Sequence, residues 1–434
     1  MVGVTVSKRT FISTDHEAHC AIDSGRGASR CRFCGGQLAL VTDLGTSPLC
    51  ESFLTEDQLG RGEVFHPLVV KVCESCWLVQ VGEYVEPAEI FSDYNYFSSY
   101  SRAWLDHARD YADMAVKHFG LGAGSLVIEP ASNDGYLLRN FVARGIPCLG
   151  IEPAPTVAAA AQEAGVPTLV RFLGSALAAE LLSEGRRADL VVANNVLAQV
   201  PDLNDFVAGL AALLKPEGVL TLEFPHLVRL LEGNQFDTIY HEHFSYFSFG
   251  VVERILAAHG LRVFDVAPLW THGGSLRVFA CRAGSARPAE PATERLRAEE
   301  AAAGLSQMET YAAFDRRVRE TKWRLLELLI GLRRAGSRIV GYGAPGKGNT
   351  LLNYCGIRTD LIEFTVDRNP HKHGRYLPGT RIPVLPPEQL DAARPDHVLI
   401  LPWNLREEIM QQLAHVRSWG GRFIVPIPEP QVLA

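Results

Sequence analysis

The stretch VIEPASNDGYLL, residues 127–138, decides the fold. It begins inside SLVIE (125–129), an apolar run of strand length. It ends in GYLLRNFVARG (135–145), whose apolar residues recur at helical spacing up to a closing Gly145. A strand that turns directly into a helix starts a parallel-sheet unit, and the unit repeats outward along the chain. CLGIE (148–152) precedes TVAAAAQEAG (156–165), and ADLVVA (188–193) precedes DLNDFVAGLAALL (202–214). VLTLEF (219–224) follows a Lys-Pro-Glu-Gly turn. This alternation predicts an α/β, Rossmann-like domain with helices on both faces of a parallel sheet. Asn133, Asp134 and Gly135 then stand at a predicted helix N-terminus, where backbone N–H groups attract anions and carboxylates. Glu152 ends the next strand, placed to accept both hydroxyls of a ribose. Asn194 and Asn195 close the strand after it, at the carboxyl edge where open α/β sheets bind ligands. The G-x-G-x-x-G fingerprint is absent, which weighs against a dinucleotide. The plainer alternative is an acidic helix cap at Asp134 and a solvated Glu152.

The rest of the chain sets limits on this domain. Its 434 residues are 47% apolar and 21% charged, enough for two or three folded domains and too apolar for global disorder. A net charge of −7 argues against nucleic-acid binding through bulk positive charge. No uncharged apolar run reaches about 18 residues, so no membrane span is expected. The first residues lack a basic start followed by an apolar run and a cleavage site, so the expected compartment is the cytoplasm. We divide the chain into a disordered tail (1–29), a cysteine-bearing segment (30–100), the central α/β domain (101–287) and a smaller C-terminal α/β domain (288–434). In the last of these, Phe314, Val318, Leu325, Leu329 and Leu332 share one helical face.

Nine cysteines are too few for a disulfide framework at this length. Four of them form two C-x-x-C pairs, Cys31 with Cys34 and Cys73 with Cys76, separated by 38 residues. Each pair can present two thiolates to one ion, and two pairs complete a closed tetrahedral zinc site. Such a site leaves no position for substrate, so its role is structural. A redox pair, or two reduced pairs in a core, is the alternative. The acidic balance of the segment argues against a nucleic-acid zinc knuckle.

Two further stretches carry chemistry. YHEHFSYF (240–247) packs Tyr240, His241, Glu242 and His243 together, without the H-E-x-x-H spacing of a zinc protease. These residue types suit proton transfer, with histidine as a base near neutral pH and a tyrosine hydroxyl as a donor to a developing oxyanion. GYGAPGKGN (341–349) lies between a predicted strand and helix. Its N–H groups and Lys347 could cradle phosphate, and Asp367 ends the next strand. It is not a Walker A loop, because Gly348 follows Lys347 where Ser or Thr is needed.

Taken together, EPASNDGYLL (129–138), GIEPA (150–154), ANNVLAQVPDL (193–203), LEFPHL (222–227), TIYHEHFSYFS (238–248) and HGGSLRV (272–278) resemble the SAM-dependent sugar C-methyltransferases of deoxysugar biosynthesis. The resemblance continues through GYGAPGKGNTLLNYC (341–355) and DRNPHKHGRYLPGTRIPV (367–384), and covers residues 30–434. It implies a structural zinc on Cys31, Cys34, Cys73 and Cys76. It implies SAM held by Glu129, Asn133, Asp134, Gly135, Glu152, Asn194 and Asn195. It further implies a dTDP-linked 4-keto-deoxyhexose methylated at C3, with His243 as the base, Glu242 as alternative base or sugar contact and Tyr240 as a hydrogen-bond donor. Tyr94, Gln199, Lys347 and Arg375 would bind the sugar nucleotide, and one chain would act as a monomer, with no nucleic-acid or membrane partner. Gln199 departs from the pattern, since the family commonly has histidine there, and glutamine cannot shuttle a proton. The alternatives are an O- or N-methyltransferase on another small metabolite, and a non-catalytic zinc adaptor.

Overall fold

A computed structural model describes residues 30–91 and 97–434. The tail at 1–29 and Tyr94 lie outside the described residues. The central sheet has seven strands in the order Leu261–Leu269, Ser275–Arg282, Leu214–Pro225, Ala188–Asn194, Val127–Pro130, Cys148–Ile151 and Thr168–Leu169. The last five are parallel, and Ser275–Arg282 runs against them, pairing antiparallel with both Leu214–Pro225 and Leu261–Leu269. The chain winds outward from Val127–Pro130, then returns to Ala188–Asn194 on its other side. That reversal opens a crevice at the carboxyl ends of these two strands. Their near-continuous Val, Leu and Ile content matches a sheet buried on both faces.

A second sheet repeats the logic. Its order is Val384–Leu385, Thr365–Val366, Ile339–Tyr342, His397–Ile400, Arg422–Val425 and Gln431–Leu433, parallel except for the last. Its reversal lies between Ile339–Tyr342 and His397–Ile400, so a second crevice opens where GYGAPGKGN leaves the sheet. The helix Gly346–Cys355 follows that loop.

A third, antiparallel sheet joins Leu38–Ser47, His66–Cys73, Val79–Val81 and Ser245–Tyr246. Its fourth strand comes from the YHEH stretch of the central part. The cysteine segment therefore holds that stretch by backbone pairing.

Cores follow the same weave. One core unites Val41, Leu44 and Leu68 of the N-terminal sheet with Tyr311, Phe314 and Val318 of the helix Met308–Arg334 and with the C-terminal sheet. Leu325 and Leu329 lie on that same buried face of the helix, at the spacing read from sequence. Burying one such side chain stabilises by about 1.5–3 kcal/mol. Two other cores cover the faces of the central sheet. The helix Pro291–Ala302 belongs with the central sheet: its Glu300 accepts from Gly250 N–H at 2.9 Å and meets His226 Nε2 at 2.7 Å.

The helix expected over 135–145 shrinks to the four residues Arg139–Val142. Ala131, Asn133 and Gly135 adopt positive φ of 53°, 51° and 72°, which coils the preceding loop. The Asn133 N–H turns to Glu152 instead of standing at a helix end.

Candidate functional site

The two crevices face each other and merge into one cavity of about 900 Å³. The cysteine segment contributes Cys50 and Glu51, the central domain Glu152 and His243, and the C-terminal domain Lys347 and Lys372. Asn133, Asn194, Asn195, Gln199, Tyr240 and Glu242 also reach it. Arg375 does not: its side chain is exposed and absent from the lining, while Lys372 of the same loop is present.

On the central side the lining is rich in acceptors. Glu152 accepts from Asn133 N–H and Ala154 N–H, both at 2.9 Å, which fixes its carboxylate at the strand end. Asn133 Oδ1 accepts from Ser98 N–H at 2.9 Å and Asp134 Oδ2 from Ser99 N–H at 3.1 Å, so the loop ties down the turn Ser98–Tyr100. Gly135 turns this loop and lies, with Glu129 and Asp134, behind the lining. Glu129 is buried, and its carboxyl is pushed well above the usual range by burial and by Glu152, Asp134 and Glu223. Glu129 Oε2, Asp134 Oδ1, Asn194 Oδ1 and both amide atoms of Asn195 are buried with no partner among the described residues. Acids and unpartnered acceptors converging at a sheet edge fit a cationic ligand that also offers ribose hydroxyls. SAM, with its ammonium, sulfonium and ribose, has that chemistry.

Beneath this region Glu223 closes a buried network. Burial raises its carboxyl, but the His107 hydrogen bond at 2.9 Å and the Arg277 guanidinium hold it below the usual range. Arg277 Nε donates to Glu223 Oε1 at 2.6 Å and its guanidinium lies 4.7 Å from the Tyr111 ring centre.

The stretch 240–247 lines the cavity through Tyr240, Glu242, His243, Ser245, Tyr246 and Phe247. The Tyr240 hydroxyl and His243 Nε2 are 3.4 Å apart, with ring centres at 4.4 Å. Burial drives His243 down to about 3, and a charge on His272 would oppose one on His243. His243 is therefore a neutral imidazole at physiological pH. Glu242 Oε2 accepts from the Cys50 thiol at 3.3 Å, and burial raises its carboxyl. His241 points away, its Nε2 donating to Pro67 O at 3.2 Å. Gln199 lines the cavity beside these groups.

The C-terminal side supplies the cations. Lys347 Nζ lies 4.7 Å from the Trp403 ring centre and donates to Asn404 Oδ1 at 2.6 Å. Trp403 Nε1 donates in turn to Asp237 at 2.7 Å. Lys372 Nζ donates to Ala344 O at 2.8 Å and pairs with Glu51 at 3.4 Å. Asp367 is engaged by the loop: its carboxylate accepts from Ala344 N–H at 2.7 Å and Asn369 N–H at 2.8 Å. It caps the Gly-rich loop at the edge of the cavity, whose lining includes it.

Outside the cavity the four thiols of Cys31, Cys34, Cys73 and Cys76 lie within 4.8 Å of one another. Cys31 and Cys76 sulfurs are 3.5 Å apart, as are those of Cys34 and Cys73. A tetrahedral zinc with bonds of about 2.3 Å needs sulfurs spaced on this scale. The Cys31–Cys76 hydrogen bond lowers Cys31 and raises Cys76, so within this pair Cys31 gives up its proton first. Gly35, with φ of 71°, makes the turn that aims the first pair.

Several lining residues carried no motif: Cys50 and Glu51 stand in an ordinary loop, and Trp104 and Phe172 look like core aromatics. His272 sits in HGGSLRV, which carried a resemblance but no role. Only the two glycines after His272 signalled an unusual backbone.

Comparisons with known proteins agree with this architecture. Family models match residues 31–91 as a zinc binding domain, 104–266 as a methyltransferase domain and 270–428 as a C-methyltransferase C-terminal domain. The C-methyltransferase NovU of Streptomyces niveus is 39% identical over 413 residues, spanning 95% of this chain and 98% of its own. A ubiquinone biosynthesis O-methyltransferase of Methylobacterium is 35% identical over 120 residues, only 25% of this chain and 46% of its own. Among solved structures, a methyltransferase from Clostridium acetobutylicum aligns at 13% identity over 42% of this chain and 92% of its own, with a TM-score of 0.35. A likeness that low adds nothing to the assignment. The full-length relative and the three adjoining family models are decisive: the chain belongs to the SAM-dependent C-methyltransferases that carry an N-terminal zinc-binding segment.

Proposed function

We propose that the protein methylates C3 of a dTDP-linked 4-keto-deoxyhexose through an enolate. The observation that carries this is the neutral His243 imidazole lining a cavity with acceptors on one side and lysines on the other. Carbon beside a ketone is acidic enough for a positioned base, because the charge spreads onto oxygen. His243 takes the C3 proton. Tyr240, packed on His243, keeps the ring oriented and offers a hydroxyl to the sugar. Glu242, its carboxyl raised by burial and held by Cys50, presents a hydrogen-bonding group to a sugar substituent. Gln199 donates and accepts without titrating, so it supports binding and not proton transfer. Lys347 and Lys372 are the groups for the diphosphate. Glu152, Asn133, Asn194 and Asn195 hold SAM, which supplies an electrophilic methyl group when bound. The work of the protein is mostly orientation and charge stabilisation.

Mass spectrometry of a dTDP-4-keto-deoxyhexose incubated with the protein and SAM tests this. The expected product gains one methylene unit and loses a deuterium placed at C3. His243→Asn is expected to abolish that gain while S-adenosylhomocysteine still binds. A methylated product that keeps the C3 deuterium would place the methyl on C5, the other carbon beside the ketone, or on oxygen or nitrogen, and overturn the C3 reading.

A further inference from the structure

HGGSLRV is the motif that the mechanism above leaves without a task. In it His272 has φ of 56°, a left-handed conformation uncommon outside glycine, with asparagine, aspartate and histidine the side chains most often found there. Such a conformation persists only where its surroundings enforce it, and it concentrates at functional sites. Here the surroundings do enforce it. Gly273 and Gly274 have φ of 85° and 118°. A side chain on the first would come within 2.9 Å of Gln235, and on the second within 2.7 Å of Arg229. Gln235 Nε2 donates to Gly273 O at 2.9 Å, Gly274 N–H to Thr271 O at 2.9 Å, and His226 N–H to Gly274 O at 3.0 Å.

This turn aims the His272 ring into the same cavity as His243. Trp104, also in the lining, meets the ring edge-on with centres 5.2 Å apart, which fixes its orientation. No hydrogen bond to either ring nitrogen is present among the described residues. The residue keeps part of its surface open to the cavity mouth, while its ring stands among His243, Lys347 and Trp104, and loss of water around the ring lowers it to about 4. A rigidly held neutral imidazole with unused nitrogens is a hydrogen-bond donor awaiting an acceptor.

We propose that His272 donates a hydrogen bond to the C4 oxygen as His243 removes the C3 proton. The C3–H bond breaks and its electron pair becomes the C3–C4 double bond. The carbonyl pair moves onto oxygen, and the proton stays on His243. His272 keeps its own proton and stabilises the oxyanion through it. A neutral donor suits this task, because an imidazolium so close to His243 would oppose protonation of the base. The proposal rests on the carbon-methylation reading above.

The test follows exchange of the C3 hydrogen of a dTDP-4-keto-deoxyhexose in deuterated water, without SAM, beside binding of the same compound by calorimetry. The wild type is expected to exchange; absence of exchange there overturns the carbon reading itself. His272→Asn keeps a residue that tolerates positive φ but shortens the donor. It is expected to slow exchange about 10²–10³-fold, the scale of one oxyanion donor, with binding unchanged. His272→Gln restores a longer N–H donor and is expected to recover part of the rate. With the wild type exchanging, three results overturn the role of His272. These are exchange at the wild-type rate in His272→Asn, intact exchange with lost methyl transfer, and loss of binding that accounts for the lost rate.

Discussion

His243 is a histidine whose surroundings remove its ordinary pH response. Its value falls from 6.5 to about 3, while His241 and His272 fall to about 4, with burial the leading cause for each. The sign of the stability effect follows. Between 6.5 and these lower values the unfolded chain binds protons that the native chain refuses. The contribution of each histidine is complete above 6.5 and is lost as the pH falls toward about 3 or 4. The raised carboxyls of Glu129, Glu152 and Glu242 act in the opposite sense, so the wild-type melting curve alone is ambiguous. The comparison with His243→Asn isolates one group. Calorimetric melting below the ordinary histidine value should show a shallower fall of Tm in the variant than in the wild type. Parallel curves would mean that His243 titrates normally. For kcat/KM, which reports the free enzyme, no acid limb is expected at 6.5. The grouping of His243 with Tyr240 and Glu242 was legible in sequence, and all three line the cavity. The place of His272 was not, because HGGSLRV marked a resemblance and the feature that aims the ring is a backbone angle.

At the scale of elements, the strand Ser245–Tyr246 matters most. It pairs with Val79–Val81, which follows Cys76 by one short turn, and Cys73 ends the neighbouring strand. The Arg32 side chain adds a bond to Val81 O at 2.5 Å. The zinc cluster thus braces the sheet that fixes His243, two residues upstream of Ser245. Glu152 and Asn194 instead stand at strand ends of the central sheet. Removing the metal with a chelator should reduce methyl transfer far more than S-adenosylhomocysteine binding, with zinc content measured in parallel. Equal loss of both would mean that the zinc segment supports the central sheet as a whole. The long apolar strands were legible from their composition, and the long helix Met308–Arg334 from its spacing. Ser245–Tyr246 was hidden, since two residues inside a polar motif carry no strand period. The loop before Arg139–Val142 misled for a different reason. Its apolar spacing is helical, but positive φ at Asn133 and Gly135 spends the first turn on binding geometry.

Over the whole molecule, the sequence suggests separable units and the packing denies it. Val41, Leu44, Leu68 and Val70 of the N-terminal sheet share a core with Tyr311, Phe314 and the C-terminal sheet. Trp77, at the zinc turn, stacks on Tyr311 with ring centres at 6.2 Å and planes 7° apart. Thr42 donates to Asp315 at 2.8 Å. The segment just before Tyr240 is held from the C-terminal side too, by Thr350 on Ile239 O at 2.9 Å and by Trp403 on Asp237 at 2.7 Å. Each large side chain stripped of this cover costs about 1.5–3 kcal/mol, and a domain has only about 5–15 kcal/mol to lose. A chain ending before Met308 uncovers at least the four N-terminal residues named above. It should expose apolar surface, bind a hydrophobic dye and associate on gel filtration, although every predicted SAM ligand remains in it. A truncated chain that stayed monomeric, bound no dye and held S-adenosylhomocysteine as tightly as the full chain would show that the shared core is dispensable. The C-terminal domain would then be a substrate-binding attachment, and the placement of His243 would depend on the zinc-bearing sheet alone.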